Sequence, residues 1–105
     1  MEEAKGLYLC QYRKKDYSDT PYESNLENGV WLCFGQNNDE IKSVGPVYEN
    51  GKRGMKFLFI HGDDQEEKVL FVGDTAMFYY SYLDITGPTD WEEVDNYIYL
   101  KLIEK

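Results

Sequence analysis

Hydrophobic and polar residues alternate with a period of two along much of this chain, and that period predicts β-strands. The first alternating stretch is Lys5–Arg13 and the last is Tyr97–Ile103, and both are rich in the aromatic and aliphatic residues that suit strands. Tyr22–Leu26 allows a further short strand within the polar, turn-rich stretch 14–29.

The alternation also assigns faces, because side chains two residues apart lie on the same side of a strand. One face of the first strand carries Leu7, Leu9 and Gln11, and the other carries Tyr8, Cys10 and Tyr12. One face of the last strand carries Ile98, Leu100 and Leu102.

The centre of the predicted fold is the stretch Gly45–Asp74. Asn50-Gly51 lies between two β-favouring runs, Val47–Glu49 and Met55–Ile60, and both of its residues tolerate the positive φ of a tight hairpin turn. The second run leads into an acidic loop, His61–Glu67, and then into a third run, KVLFV. Three strands joined by short connections predict a meander, with Met55–Ile60 deep in the fold on both faces.

Three further stretches are predicted to be strands. Val30–Phe34 is almost wholly apolar, which favours a central strand buried on both faces. Glu40–Glu49 contains Gly45-Pro46, and because proline cannot donate to a sheet ladder, this strand is expected at an edge or with a bulge. Thr75–Thr86 would allow a helical first turn, but its aromatic density favours a strand.

A short helix is predicted near the C-terminus. Thr89 can cap it, and Glu92 follows three residues later, which together form a capping box. We therefore predict a single domain, residues 1–105, of mainly β class (a β-rich α+β fold). Its antiparallel meander would form a curved sheet or small barrel of six to seven strands, with this one short helix.

The charge of the chain is unevenly spread. The net charge is −9: residues 1–56 hold nine acidic and eight basic residues, whereas residues 57–105 hold eleven acidic and three basic ones. A field this negative repels nucleic acid and membrane surfaces and attracts basic partners. Solubility alone would also account for the acidity.

The two cysteines and the start of the chain bear on location. Cys10 and Cys33 both lie in apolar runs, where a small buried thiol fits, and their spacing leaves open whether they pair. The opening MEEAKG is acidic where a secretory signal is basic, and no apolar run approaches the ~20 residues that span a bilayer. We expect a reduced, cytoplasmic protein.

Motifs of catalysis and of cofactor or metal binding are absent from the sequence. His61 is the single histidine, and no nucleophile motif accompanies it, so a structural or exposed histidine is the better interpretation. The stretch HGDDQEE lacks the ligand spacing of a calcium or zinc site. Arg13-Lys14-Lys15 and the bases around Arg53, with Tyr8, Tyr12 and Tyr48 nearby, could form a small stacking platform, but the net charge argues against direct nucleic-acid binding.

Two acidic clusters lie in stretches predicted to be close to solvent, one after the meander strand and one at the helix start. Carboxylates spaced along a surface can imitate phosphates, and aromatic side chains among them would anchor a protein interface. The predicted partner-binding residues are Asp63, Asp64, Glu66, Glu67, Asp90, Trp91, Glu92, Glu93, Asp95, Tyr17 and Tyr22.

In size, acidity, tyrosine content and lack of a catalytic motif, the chain resembles small phage anti-defence inhibitors, including anti-CRISPR proteins and DNA mimics. The resemblance is one of overall character. It implies a non-enzymatic protein that inhibits a basic, nucleic-acid-processing partner by steric and electrostatic occlusion. The alternative is a small-molecule or nucleotide-binding β-barrel, with Lys52, Arg53 and Tyr48 as ligand contacts.

Overall fold

The structure is a computed structural model that describes residues 4–27, 31–34, 39–79 and 97–105. The described residues form eight strands. In chain order these are β1 (Leu7–Tyr12), β2 (Tyr22–Asn25), β3 (Trp31–Phe34), β4 (Asp39–Glu49), β5 (Lys52–His61), β6 (Asp64–Phe71), β7 (Thr75–Tyr79) and β8 (Tyr97–Glu104).

These strands form two antiparallel four-stranded sheets, which confirms the mainly β, antiparallel prediction. Sheet A has the order β2-β1-β8-β7, and sheet B has the order β3-β4-β5-β6. Both sheets of described strands are open, so they differ from the predicted single curved sheet or closed barrel of six to seven strands. The short helix predicted from Thr89 lies outside the described residues, as does the part of Thr75–Thr86 beyond β7.

The meander is confirmed as β4, β5 and β6. Asn50 and Gly51 connect β4 to β5 with φ angles of 52° and 78°, the pair of positive values that a type I′ hairpin turn requires. The predicted acidic loop His61–Glu67 is wrong, because a two-residue turn at Gly62 and Asp63 already reverses the chain. Gly62 takes a φ of 56° there, and the residues from Asp64 onward pair with β5.

The position of Pro46 in β4 follows the expectation for a residue without an N–H. The register between β4 and β5 shifts between Ser43 and Gly45, which leaves Val44 as the extra residue of a bulge. β3 pairs only with Asp39–Lys42, so the described strands leave the other edge of β4 open at Pro46. The prediction of a central Val30–Phe34 strand is wrong, since β3 is an outer strand of sheet B among the described strands.

One hydrophobic core receives side chains from both sheets, which therefore pack against each other. Sheet A contributes alternate residues of β1, β7 and β8, and sheet B contributes alternate residues of β4, β5 and β6. The core consists of Ala4, Leu7, Leu9, Leu26, Ile41, Met55, Phe57, Phe59, Leu70, Phe78, Ile98, Leu100 and Leu102. Only one face of β5 is buried, because Leu58 and Ile60 on its other face remain partly exposed.

A junction formed by residues 72–74 joins the two sheets at one end of the core. Val72 donates its N–H to the carbonyl of Arg53 in sheet B at 2.9 Å, and Gly73 donates to the carbonyl of Leu102 in sheet A at 2.7 Å. Leu102 in turn donates to the carbonyl of Asp74 at 3.1 Å. The chain thus crosses from β6 to β7 while its backbone groups stay paired with both sheets.

Gly54 permits a close approach of β5 to β6, and replacing it tests that packing. A Cβ at Gly54 would lie 2.6 Å from the carbonyl oxygen of Leu70 and 2.8 Å from a ring carbon of Phe71. Because the nearest of these atoms is backbone, we expect Gly54→Ala to lower the free energy of unfolding by about 1–3 kcal/mol in urea denaturation.

The matched control is Gly45→Ala. A Cβ at Gly45 meets nothing within 4 Å, so that variant should be neutral or more stable by up to about 1 kcal/mol. Equal effects of the two substitutions would contradict the close contact at Gly54.

Candidate functional site

Four of the predicted partner-binding carboxylates lie together at the outer strand of sheet B. We call Asp63, Asp64, Glu66 and Glu67 the acidic edge; all four are exposed. Asp63 lies in the turn and the other three on β6, which pairs with β5 on one side only among the described strands. The hairpin therefore presents these carboxylates along a sheet edge.

The register of β6 divides the acidic edge between the two faces of sheet B. Asp64 and Glu66 are paired with His61 and Phe59, and Phe59 points into the core, so these two carboxylates share the core-side face. Glu67 is paired with Leu58 on the opposite face. A surface that approaches the edge of β6 therefore meets negative charge above and below the sheet.

Two lysines moderate this charge. Lys56 lies 3.8 Å from a carboxylate oxygen of Glu67, with both side chains about half exposed, so their ion pair contributes little. Lys68 places its Nζ 5.5 Å from the centroid of the Phe59 ring, a cation–π distance. Four carboxylates beside two lysines leave the acidic edge negative.

His61 lies at the same end of the sandwich, at the rim of the core. Its ring stacks on Phe78, with 4.6 Å between centroids. Its Nδ1 is 3.6 Å from Oδ1 of Asp39, which is beyond hydrogen-bond distance, and Asp39 is only 1% exposed. His61 thus covers the end of the core beside a buried carboxylate, which fits the structural interpretation of this residue.

Of the remaining predicted partner-binding residues, the structure describes Tyr17 and Tyr22, and neither is brought to the acidic edge. Tyr17 and Tyr22 belong to the sheet A side of the molecule, where Tyr17 packs edge-on against Tyr12 with 4.7 Å between ring centroids. Tyr22 begins β2 and is 67% exposed. The second acidic cluster lies outside the described residues; its members are Asp90, Trp91, Glu92, Glu93 and Asp95.

The residues of the alternative ligand site lie near the Asn50-Gly51 turn. Tyr48 is 71% exposed and Lys52 is exposed, whereas Arg53 bonds through its guanidinium to the carboxylate of Glu104 and the carbonyl of Lys5. None of these three residues lines the cleft of about 330 Å³ that opens elsewhere in the described part of the chain. That cleft is lined by Ala4, Leu26, Glu27, Ser43, Val44, Gly45, Pro46 and Met55.

The structure also gathers five tyrosines on one surface, of which only Tyr8 and Tyr12 were predicted to lie together. The outer face of sheet A, the side away from the core, carries Tyr8, Tyr12, Tyr97 and Tyr99, and Tyr17 packs onto it; these five are called the tyrosine face. Tyr12 and Tyr99 are direct cross-strand partners, and the rings of Tyr97 and Tyr99 stack at 6.4 Å. The available sequence signal was the alternation of tyrosines in both strands, but only the β1–β8 pairing places them side by side.

Cys10 lies in the middle of the tyrosine face and is a free thiol. It is 1% exposed, and its Sγ is 4.0 Å from a carboxylate oxygen of Glu23. Burial, and secondly the negative charge of Glu23, raise the pKa of the Cys10 thiol above its ordinary value. The thiol is therefore held neutral and unreactive.

Comparisons with known proteins identified no relative of this chain. No protein-family model, curated protein or solved structure matches this chain. Within the described ranges, no three histidine, cysteine or carboxylate side chains are arranged to hold a metal ion. The described residues also contain no helix long and apolar enough to cross a bilayer.

The contact between Arg53 and Glu104 predicts a measurable coupling between the sheets. We expect a double-mutant cycle of Arg53→Met and Glu104→Gln to give about 0.5–1 kcal/mol of coupling in the free energy of unfolding, lower at high salt because both side chains are partly exposed. Methionine retains the apolar stem of Arg53, which limits the loss of packing.

The control cycle uses the ion pair between Lys56 and Glu67, which lies within one sheet and is more exposed. Its coupling should be close to zero. Coupling at this pair as large as at Arg53 and Glu104 would contradict a specific bridge between the sheets.

The raised pKa of Cys10 predicts a dependence of stability on alkaline pH. The folded thiol ionises above the ordinary value of 9.0, so the unfolded chain loses its proton first as the pH rises. The free energy of unfolding should therefore fall as the pH passes through and above that value. We expect the free energy of unfolding to fall more steeply with pH in Cys33→Ser, which keeps Cys10, than in Cys10→Ala/Cys33→Ser, which lacks it. Urea denaturation from about pH 8 to about pH 10 measures both. Parallel curves would show that Cys10 contributes nothing to this dependence.

Proposed function

We propose that this protein is a non-enzymatic binding protein whose acidic edge docks a basic, nucleic-acid-processing partner. Bound there, the protein inhibits its partner by covering the cationic surface that the partner uses for nucleic acid. The observation that supports the proposal is the placement of four exposed carboxylates on the turn and outer strand of one hairpin.

The geometry of β6 suits a cationic groove. Asp64 and Glu66 are two residues apart on one face of the strand, which separates their Cα atoms by roughly 7 Å. Glu67 offers a further carboxylate on the other face. A groove lined with lysine and arginine on both walls would therefore find negative charge on each side of the inserted edge, as it does along a phosphate backbone.

Charges on an outer strand also have a protective role that involves no partner, since they discourage edge-to-edge aggregation of sheets. A protective role requires only that the strand be charged. Docking requires carboxylates at these positions and predicts that neutral amides of the same shape fail. This difference separates the two roles by experiment.

The second candidate, a ligand-binding barrel, has less support. The described strands form two open sheets, and Arg53 is held by Glu104 and Lys5. Lys52 and Tyr48 remain exposed beside a hairpin turn rather than inside a cleft. No specific geometric feature therefore favours a nucleotide site at these residues.

We expect Asp64→Asn/Glu66→Gln to lose the partner. The bait would be the immobilised protein, and the sample a lysate of the host cells in which the protein acts, at about 50 mM salt. Proteins retained by the wild type would be identified and purified. The variant should bind the purified partner at least about tenfold more weakly, and it should no longer inhibit nucleic-acid binding by that partner. The affinity of the wild type should fall with added salt.

The control is Glu27→Gln/Glu49→Gln, which removes the same two charges from exposed residues away from the acidic edge. It should retain binding and inhibition. If both double variants lose the partner equally, overall charge rather than the acidic edge is responsible, and the proposal fails. A purified partner without a basic surface or nucleic-acid activity would also refute it.

A further inference from the structure

The tyrosine face is ordered in rows across sheet A. At one level the strands bring together Tyr12, Tyr99 and Met77, and Tyr17 packs on the ring of Tyr12. At the next level Cys10 lies between Glu23 and Lys101. At the third level Tyr8 lies between Asn25 and Ile103, and Nζ of Lys105 is 4.8 Å from its ring centroid.

Several side chains on this face, most of them aromatic, remain open to solvent. Met77 is 53% exposed, Tyr17 is 37% exposed and Tyr97 is 36% exposed, while Tyr8, Tyr12 and Tyr99 are partly exposed. A partner that lies flat on sheet A would therefore meet several ring faces and edges in succession. This arrangement suits planar groups that stack.

Among the described residues, the charge on this side of the molecule is opposite in sign to the charge of the whole chain. Five of the eleven basic residues belong to the outer face or to the turn that follows β1: Arg13, Lys14, Lys15, Lys101 and Lys105. In the part of the chain that the structure describes, three acidic residues accompany them: Asp16, Asp19 and Glu23. Lys105 forms an ion pair with Glu23, which neutralises the one carboxylate within the rows.

We propose that the tyrosine face binds single-stranded nucleic acid, with bases stacked on its tyrosine rings and phosphates beside its cations. Every base offers a π-face, so stacking of this kind needs no particular sequence. Lys101 is two residues from Tyr99 on the same face of β8, so a phosphate beside a base stacked on Tyr99 falls within its reach. The proposal concerns a different surface from the acidic edge and does not rest on its function.

The net charge of −9 limits the affinity that we expect this face to have for nucleic acid. The acidic edge belongs to sheet B, whereas the tyrosine face is the outer side of sheet A, with the core between them. Packed sheets are about 10 Å apart, which is about one Debye length at 0.1 M salt, so salt weakens the repulsion from the acidic edge at the outer face but does not abolish it. We expect a weak, salt-dependent complex with a dissociation constant in the micromolar range or above.

The experiment is fluorescence anisotropy of labelled single-stranded oligonucleotides, dT and rU of about 12 nucleotides, with a DNA duplex of equal length for comparison. The wild type should bind the single strands more tightly than the duplex. Tyr12→Ala and Tyr99→Ala should each weaken binding roughly tenfold, whereas Tyr12→Phe and Tyr99→Phe should keep it, because stacking requires the ring. Lys101→Gln should lower the slope of log affinity against log salt by about 0.7.

The control is Tyr48→Ala, which removes an exposed tyrosine from sheet B and should leave binding unchanged. Circular dichroism verifies that each variant is folded, and the phenylalanine and Lys101 variants keep the test decisive if an alanine variant does not fold. Absence of binding by the wild type at 50 mM salt overturns the proposal. A result in which Tyr12→Phe loses as much affinity as Tyr12→Ala also overturns it. If the wild type binds no oligonucleotide and Tyr12→Ala fails to bind a protein partner that the wild type binds, this face is a protein-binding surface and the nucleic-acid proposal is refuted.

Discussion

The backbone hydrogen bonds of residues 72–74 hold the two sheets of this protein together at one end. Three consecutive residues give one bond to sheet B and two to sheet A, and Arg53 adds a side-chain bridge to Glu104 at the same end. These contacts fix how β5 lies over β8. The relative position of the two outer surfaces therefore depends on a corner far from the acidic edge.

The opposite end of the sandwich is closed by side chains instead of backbone. Phe78 from sheet A lies between Phe59 and His61 of sheet B, with ring-centroid distances of 5.4 and 4.6 Å. The acidic edge begins two residues after His61, at Asp63, and Tyr99 follows Ile98, the cross-strand partner of Phe78. The acidic edge and the Tyr12–Tyr99 row of the tyrosine face therefore lie at this end, on different sheets. Among the described residues, negative charge dominates on the first surface and positive charge on the second.

Local chemistry in the sequence was sufficient to predict the strands and their tight turn. A tight turn at Asn50-Gly51 requires positive φ at both positions, and both residues have it. Pro46 suits an open edge or a bulged strand, and β4 has a bulge at Val44 and an edge that the described strands leave open at Pro46. The alternation in β1 and β8 also placed the leucines on one face and the tyrosines on the other. Such features depend on neighbours within a few residues, so one sequence reveals them.

Features that depend on distant pairing could not be predicted in the same way. The apolar run Val30–Phe34 indicated a central strand. The position of β3 depends on which strands pair with it, and the composition of the run does not encode that pairing. Gly62-Asp63 was hidden inside an acidic run that resembled a long loop. The five tyrosines converge only because β1 pairs with β8, some ninety residues later in the chain.

That pairing has a mechanical consequence. Leu7 is opposite Glu104, and Lys105 donates its N–H to the carbonyl of Gly6 at 2.9 Å, so the outer ends of β1 and β8 meet at one point. A force that pulls residues 6 and 105 apart acts across the ladder and loads that point first. The pairs then open one after another, as in a zipper, rather than shearing all at once. Stretched in this direction, the central pair of sheet A offers little resistance, although its leucines are the most deeply buried side chains of the fold.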